Sequence, residues 1–176
     1  MTVRRTREKR VNVVKSTKIT IERFDLVSKK SFEQVLFELD KGIGRPIANY
    51  FERKAVTQSF EEYEGLVNGA IGTSDLVEFL RFDPGAVFRK DPAAKELKMV
   101  RIIAGNPLLM KKMAERVPDA ASYAPVTILV SEREDGVHLS YDTMSSYLAQ
   151  YGDLPALEVA RDLDEKVISL LDHAAN

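Results

Sequence analysis

The stretch VTILVSEREDGVHLSYD, residues 126–142, carries the clearest folding signal in the chain. Apolar and polar residues alternate in 126–132 and again in 137–142, which is the spacing of two strands that each bury one face. Asp135-Gly136, between them, is a pair typical of a tight turn. The stretch therefore predicts an antiparallel hairpin.

The segment after this hairpin predicts a short helix and then a long one. We expect Asp142 to cap a helix that runs to Leu148, and Asp153 to cap the last helix, residues 155–174. Apolar residues recur in the last helix at intervals of three and four; they are Ala156, Val159, Ala160, Leu163, Val167, Leu170, Leu171 and Ala174. We expect this apolar stripe to pack on the buried face of the hairpin.

Two further strands are predicted upstream of the hairpin, at residues 76–82 and 97–104. Asn106 and Pro107 follow the second of these strands, and they suit the N-cap and the first position of a helix. Residues 86–96 give no clear pattern. The region between strand and hairpin is therefore expected to be helical.

The first part of the chain predicts a strand followed by a capped helix. Alternation predicts a strand over residues 18–27, with one face buried. Ser31 and Gln34 have the spacing of a capping box, which opens a helix. The glycines in Gly42-Ile43-Gly44 are expected to end that helix through a left-handed residue.

Two more helices are predicted before the strand at residues 76–82. A shorter one covers residues 46–54, and a capping box at Ser59 and Glu62 opens another that stops at Gly72. Strands thus mix with helices, and the late hairpin is antiparallel. We therefore predict an α+β two-layer domain, with the helices packed on one face of a mostly antiparallel sheet.

Composition limits the possible functions more than it selects one. The 176 residues include 26 Lys+Arg and 27 Asp+Glu, and neither Cys nor Trp is present. The missing cysteine excludes disulfides, thiolate metal sites and thiol catalysis. No apolar run approaches the length of a membrane-spanning helix. We expect no membrane association and a cytoplasmic protein.

Charge divides the chain into two parts. Residues 1–18 carry seven basic side chains and one acidic side chain, whereas the rest of the chain is acidic overall. We predict a flexible basic arm at residues 1–16 and one domain at residues 17–176. The arm leaves nucleic-acid attachment open as a weaker alternative, because the acidic body has no aromatic-basic surface motif.

The sequence matches no known catalytic or metal-binding pattern. His138, Ser140 and Asp142 have the residue types of a hydrolase triad, but alternate strand positions lie about 6.6 Å apart, too far for its hydrogen bonds. We expect these residues to form a solvent-facing polar row. His173 has no second histidine at helical spacing, and the glycine-rich segments do not match a phosphate loop. No metal, cofactor or catalytic residue is assigned.

Short motifs in the second half of the chain resemble one family. They are Gly105-Asn106-Pro107 with Met113, Pro118, Tyr123-Ala124-Pro125, Asp135-Gly136, Ser140-Tyr141-Asp142 and Leu163-Asp164. In this order and spacing, over residues 76–173, the chain resembles the uncharacterised bacterial family "domain of unknown function 302". Residues 18–39 look compatible with the same domain, and the placement of residues 44–73 stays open.

The resemblance implies a two-layer fold similar in outline to the TATA-binding-protein-like group, and it implies a homodimer. It implies no reaction and therefore no catalytic residue. It does mark four motif positions, Asn106, Tyr123, Tyr141 and Asp142. The open amides that follow Asn106 suit an anionic or carbonyl group, and tyrosines can frame an apolar body.

Three functions are compatible with the sequence. The first is a non-catalytic domain that binds a small apolar or amphipathic ligand, or a protein partner, with Asn106, Tyr123, Tyr141 and Asp142 as candidate ligand-binding residues. The second is an enzyme that uses Tyr141 and Asp142 for acid–base chemistry. The third is nucleic-acid attachment through the basic arm.

Overall fold

The computed structural model describes residues 16–45 and 59–176. Five strands are present in these ranges: β1 (Arg23–Ser28), β2 (Val77–Phe82), β3 (Met99–Gly105), β4 (Val126–Arg133) and β5 (Gly136–Asp142). They form one sheet in the order β1-β5-β4-β3-β2, and every neighbouring pair is antiparallel. The first strand of the chain therefore lies beside the last.

Helices follow or separate these strands in the described part of the chain. They are α1 (Phe32–Gly42), α2 (Phe60–Asn68), α3 (Gly85–Phe88), α4 (Pro107–Ala114), α5 (Met144–Leu148) and α6 (Leu154–Ala175). Two 3₁₀ turns, Pro118–Ser122 and Ala149–Tyr151, complete the set. The predicted α+β class with a long C-terminal helix is confirmed.

The core lies between one face of the sheet and α1, α4, α5 and α6. Ile128 on β4 and Leu139 on β5 are fully buried, and they belong to one apolar cluster with Leu163 and Val167 on α6. This is the packing that the apolar stripe of the last helix predicted. The alternate residues of β3, β4 and β5 point away from this cluster and form the second face of the sheet.

The predicted hairpin is confirmed, and its register follows the alternation in the sequence. Ile128 lies opposite Tyr141, and Val130 lies opposite Leu139. Gly136 adopts a φ of 145°, and a Cβ there would stand 2.6 Å from the carbonyl oxygen of Ser28. The turn therefore requires glycine both for its conformation and for the close approach of β1.

The predicted helix caps are confirmed where the cap is local. Both members of the capping boxes at Ser31 and Ser59 make their reciprocal hydrogen bonds. Asn106 accepts a hydrogen bond from the amide of Leu108, and Asp153 accepts one from Ala156. Each side chain satisfies an amide that the first turn leaves open.

Two expectations about the first part of the chain are wrong. The first strand begins at Arg23 rather than at residue 18. The first helix ends in extended backbone at Ile43 and not in a left-handed glycine. Gly44 is needed for another reason, because a Cβ on it would meet the carbonyl oxygen of Ala70 at 1.9 Å and one on Gly72 would meet that of Gly42 at 2.1 Å. Two backbone segments cross there in direct contact.

The second helix also ends earlier than expected, since α2 closes at Asn68 and not at Gly72. The helix predicted at residues 46–54 and all but the last residue of the basic arm lie outside the described residues. Within 16–45 and 59–176, no helix has the length and apolar character needed to cross a membrane.

Candidate functional site

The face of the sheet that points away from the core carries a cavity of about 490 Å³. Two cross-strand rows form its floor. One row is Arg101, Leu129 and Ser140, and the other includes Ile103 beside Thr127 and Asp142 beside Arg23. Neither Ile103 nor Leu129 is part of the core cluster. The cavity thus has an apolar centre with charged groups at both ends.

Tyrosines form the wall of this cavity. The rings of Tyr123 and Tyr147 stack, with their centroids 4.6 Å apart and their planes 16° from parallel. The hydroxyls of Tyr123 and Tyr151 lie 3.1 Å apart, so one donates to the other. This hydrogen bond, with some burial, raises the pKa of Tyr151. The stack gives the cavity a fixed aromatic side with polar tips.

An ion pair closes the end of the cavity at β1 and β5. Arg23 donates from Nε and Nη2 to the two carboxylate oxygens of Asp142, at 2.6 and 2.8 Å. The hydrogen bond to Asp142 raises the pKa of Arg23. The two charges neutralise each other, but Nη1 of Arg23 donates in no hydrogen bond made by the described residues.

Arg101 stands at the opposite end, on β3. Its Nη2 donates to the hydroxyl of Thr127 at 3.2 Å. No carboxylate of the described residues forms an ion pair with it, whereas Arg81 pairs with Glu78 and Asp40. Arg101 therefore brings an uncompensated positive charge and unused N–H donors to the rim of the cavity.

Two residues of the polar row on β5, His138 and Ser140, are buried, so the expectation that the row faces solvent is wrong for them. His138 and Ser140 are 9% and 8% exposed. Ser140 donates to Asp25 at 2.6 Å, and Nε2 of His138 lies 2.8 Å from a carboxylate oxygen of Asp135. Each residue has its own partner on a neighbouring strand or turn, and the chain of hydrogen bonds that a hydrolase triad requires is not formed.

Tyr141 takes part in a different network, on the core side of the sheet. Its hydroxyl donates to Asp164 of α6 at 2.5 Å, and both residues are buried. Burial and the neighbouring carboxylate raise the pKa of Tyr141 far above its ordinary value. Tyr141 and Asp142 point to opposite faces of the sheet because they are adjacent in a strand. The structure does not bring them together as an acid–base pair.

Asp164 also caps the N-terminus of α5, the role that the sequence predicted for Asp142. Its carboxylate oxygens accept hydrogen bonds from the amides of Met144 at 2.7 Å and Ser145 at 3.0 Å. The N-cap residue of α5 is Thr143, whose side chain makes no capping bond. The expectation that Asp142 caps α5 is therefore wrong, and the cap comes from a residue of the next helix.

The structure separates the four residues predicted to bind a ligand. Tyr123, Tyr141 and Asp142 border the cavity, and Asn106 does not. Both polar atoms of the Asn106 side chain have partners, because Oδ1 accepts from the amide of Leu108 and Nδ2 donates to the carbonyl oxygen of Asp75 at 3.1 Å. Asn106 acts here as a helix cap that also ties down a loop.

The predicted site leaves out most of the cavity lining, including Arg23, Arg101, Leu129 and Tyr147. Arg101 had a usable signal, since it is a charged residue in the middle of an otherwise apolar strand. Its neighbours Val100 and Ile102 belong to the core side, so alternation assigns Arg101 to the other face. Arg23 and Tyr147 join the site through pairing and packing that the sequence alone does not reveal.

A second cavity, of about 550 Å³, lies beside α6. Lys166, the lysine in its lining, lies 3.0 Å from Asp162 and 3.5 Å from Asp75, so its charge is already compensated. In the described ranges no group of three histidine, aspartate or glutamate side chains is arranged to hold a metal ion. The cavity on the outer sheet face is the better candidate site.

Fold and site together define an α+β two-layer domain with a small cavity on the sheet face that the helices leave open. The chain belongs to the family Domain of unknown function DUF302, whose family model matches residues 52–174. The resemblance seen over residues 76–173 is thereby confirmed. No curated protein gives a significant match to the chain.

The chain is also similar to a solved structure, the crystal structure of an uncharacterized conserved DUF302 protein from Bacillus stearothermophilus. The TM-score is 0.60 at 10% sequence identity, over 86% of this chain and 97% of the other. At this identity the likeness establishes a shared fold and nothing about a ligand.

Proposed function

We propose that this protein is a non-catalytic domain that binds a small amphipathic ligand in the cavity on the outer sheet face. The observation that carries the proposal is a cavity of about 490 Å³ with an apolar centre, at Ile103 and Leu129, and hydrogen-bonding groups at its ends. Ligand pockets of about 300–1,000 Å³ usually combine an apolar lining with a few polar groups in this way.

A binding role suits the polar groups of the cavity better than an acid–base role does. The carboxylate of Asp142 is held by Arg23, and the hydroxyl of Tyr141 is buried on the other side of the sheet against Asp164. A general acid or base has to reach the proton that it transfers. Enzymatic use of Tyr141 with Asp142 is therefore the less supported alternative.

The proposal is tested with N-phenyl-1-naphthylamine, a neutral dye that fluoresces in apolar surroundings. We expect saturable fluorescence with the full chain, and loss of most of it in Leu129→Trp, where the larger side chain fills the cavity floor. Leu154→Trp is the matched control, since Leu154 is 68% exposed on α6 and does not line the cavity. Absence of binding, or equal binding by Leu129→Trp and the wild type, contradicts the proposal.

A second candidate function is binding to a protein partner, and specifically to a second copy of the chain. Within the described residues β2 is an edge strand that meets Gly44 at Val77, and Leu80 and Phe82 on it are 50% and 44% exposed. Exposed apolar edge strands pair readily with other chains. This feature favours the homodimer that the resemblance implies, formed through β2.

Light scattering after size-exclusion chromatography tests this second candidate. We expect a dimer for the wild type and a monomer for the double variant Leu80→Lys, Phe82→Lys. Val27→Lys is the control, because Val27 is 45% exposed on β1, the edge strand at the other end of the sheet. A monomeric wild type, or dissociation by Val27→Lys alone, contradicts dimer formation through β2.

The cytoplasm remains the location that we propose. Nucleic-acid attachment through residues 1–16 remains the weaker alternative, and residues 1–15 of that arm lie outside the described ranges. A mobility-shift titration at two salt concentrations tests it, because phosphate contacts weaken as salt rises.

A further inference from the structure

We infer that the ligand of this cavity carries an oxyanion group, bound by Arg101, on an apolar body that lies over Ile103 and Leu129. The inference rests on the proposed function and narrows it to one chemical class, amphipathic anions. Three features support it: the unpaired guanidinium, the arrangement of the cavity floor, and the net negative charge at the far end.

The first feature is the charge of Arg101. Among the described arginines, Arg23, Arg45, Arg81, Arg89 and Arg116 each have a carboxylate partner. Arg101, Arg133 and Arg161 have none in the described ranges, and of these three only Arg101 lines the cavity. Arg101 has only the hydroxyl of Thr127. A guanidinium presents its N–H groups in a planar fork that matches a carboxylate or phosphate. At Arg101 that fork is available to a ligand.

The second feature is the order of residues across the floor. Arg101 lies directly beside Leu129 in the cross-strand register, and Ile103 follows two residues along the same strand. Cross-strand neighbours are about 5 Å apart, and alternate residues of one strand about 6.6 Å. A ligand whose anionic group meets Arg101 therefore places its next carbon atoms on Leu129 and Ile103, with the Tyr123–Tyr147 stack beside them.

The third feature fixes the direction of the ligand. The backbone of Asp142 lies on β5, two strands away from β3, and the Arg101 guanidinium bonds to Thr127 of β4, the strand between them. Asp25, on β1, adds a second carboxylate near that end, where it accepts the hydrogen bond from Ser140. Arg23 neutralises Asp142, so Asp25 leaves that end with a net negative charge, which disfavours an anion there, whereas Arg101 favours one. The ligand's anionic group belongs at β3, and its neutral end points toward β5.

The test compares two dyes that differ by one charged group. 1-Anilinonaphthalene-8-sulfonate is N-phenyl-1-naphthylamine with a sulfonate added, so the pair isolates the oxyanion. We expect Arg101→Met to lower the affinity for the sulfonate dye by about tenfold, which is the size of one charge-assisted contact. The affinity for the neutral dye should not change. Arg101→Lys, which keeps the charge without the fork, is expected to fall between Met and the wild type.

Arg133→Met is the matched control. Arg133 lies on β4, on the same sheet face as Leu129, is exposed and does not line the cavity. We expect it to change neither affinity. Leu129→Trp is expected to remove most of the binding of both dyes, which separates cavity binding from adsorption to exposed apolar residues. Competition by octanoate and by octyl phosphate then shows whether a carboxylate or a phosphate fits better.

The outcomes distinguish this inference from the proposed function. If Leu129→Trp removes most of the binding of both dyes but Arg101→Met affects them equally or not at all, the cavity binds ligands and the anion assignment is wrong. If neither dye binds, or Leu129→Trp binds both as the wild type does, the proposed function fails and the inference falls with it. Unchanged thermal unfolding of Arg101→Met excludes an effect through the fold.

Discussion

The two faces of the sheet differ at one charged group each, Asp164 on the core face and Arg101 on the outer face. The other polar residues of β5 on the outer face, His138, Ser140 and Asp142, have partners of their own. On the core face, the buried carboxylate of Asp164 accepts hydrogen bonds from the hydroxyl of Tyr141 and from the amides of Met144 and Ser145. On the outer face, Arg101 has no carboxylate partner and borders a cavity. A buried polar group whose hydrogen bonds are all made within the protein stabilises the fold. A polar group with unused hydrogen-bonding capacity is available to a ligand. The comparison assigns stability to one face and binding to the other.

Adjacent residues of β5 place their side chains on opposite faces of the sheet. Tyr141 is 1% exposed and faces the core, whereas the Asp142 side chain is 29% exposed and faces the cavity. Because strand residues alternate, a change at one position leaves the other face in place. Substitutions should therefore separate into large effects on stability from the core face and small ones from the outer face.

The largest effect is expected from Leu163→Asp. Leu163 is 1% exposed in the core, and the substitution both removes apolar burial and places a charge there. We expect a loss of about 4 kcal/mol or more in the free energy of unfolding, measured by urea denaturation. Leu154→Asp on the same helix is the control and should stay within about 0.5 kcal/mol. An unchanged urea midpoint for Leu163→Asp would break the packing described for α6.

Asp164→Ala comes second. It leaves the amide of Met144 and the hydroxyl of Tyr141 without their buried acceptor, and we expect a loss of about 3 kcal/mol. Asp162→Ala is the matched control, because the side chain of Asp162 is 49% exposed and, among the described residues, pairs only with Lys166. We expect its urea midpoint to stay close to that of the wild type. Equal losses for the two variants would contradict the role given to Asp164.

The third prediction concerns alkaline pH. Because the pKa of Tyr141 is raised in the folded protein, its contribution is complete below pH ~10, the ordinary tyrosine pKa, and is lost as pH rises above it. Wild-type stability should therefore fall above pH ~10, by up to about 1.4 kcal/mol per unit from this group. Tyr141→Phe should flatten that slope.

Tyr147→Phe provides the comparison from the outer face. Burial also raises the pKa of Tyr147, but Tyr147 is not enclosed in the core. Urea denaturation at several pH values should show a smaller change in slope for Tyr147→Phe than for Tyr141→Phe. The reverse order would mean that the phenol of Tyr141 is not protected by the core.

The smallest effect is expected from Arg23→Met. The Arg23 side chain is 62% exposed, so its ion pair with Asp142 contributes less than about 1 kcal/mol. A double-mutant cycle with Asp142→Asn measures the coupling directly. A coupling as large as the effect of Asp164→Ala would show that the outer face also stabilises the fold, and the contrast between the faces would be lost.

Local chemistry explains which elements the sequence could predict. The caps at Ser31, Asn106 and Asp153 depend on amides within three residues, so they were readable. The cap of α5 was not, because its acceptor, Asp164, is 20 residues away from Met144. Gly44 was recognised as special for the wrong reason, since its constraint is a distant backbone segment rather than its own dihedral angles.

For the same reason, only some residues of the candidate site could be predicted from the sequence. Among the predicted residues, Tyr123 and Asp142 border the cavity on the outer face of the sheet. Asn106 was placed with them because it begins a helix after a strand, but its side chain is used by Leu108 and Asp75. Burial of His138 could not be predicted from β5 alone, because it depends on the strands that flank β5 on both sides.

The position of β1 has a consequence for the order of folding. β4 and β5 are joined by a turn and can pair at once, whereas Arg23 meets Asp142 across 119 residues. Closing a loop of that length costs about 4 kcal/mol of chain entropy, so we expect β1 to dock after the hairpin. Ser28, at the end of β1, bonds to the end of α6 at 2.6 Å. In that order of events, the arginine end of the cavity is the part of the binding site that forms last.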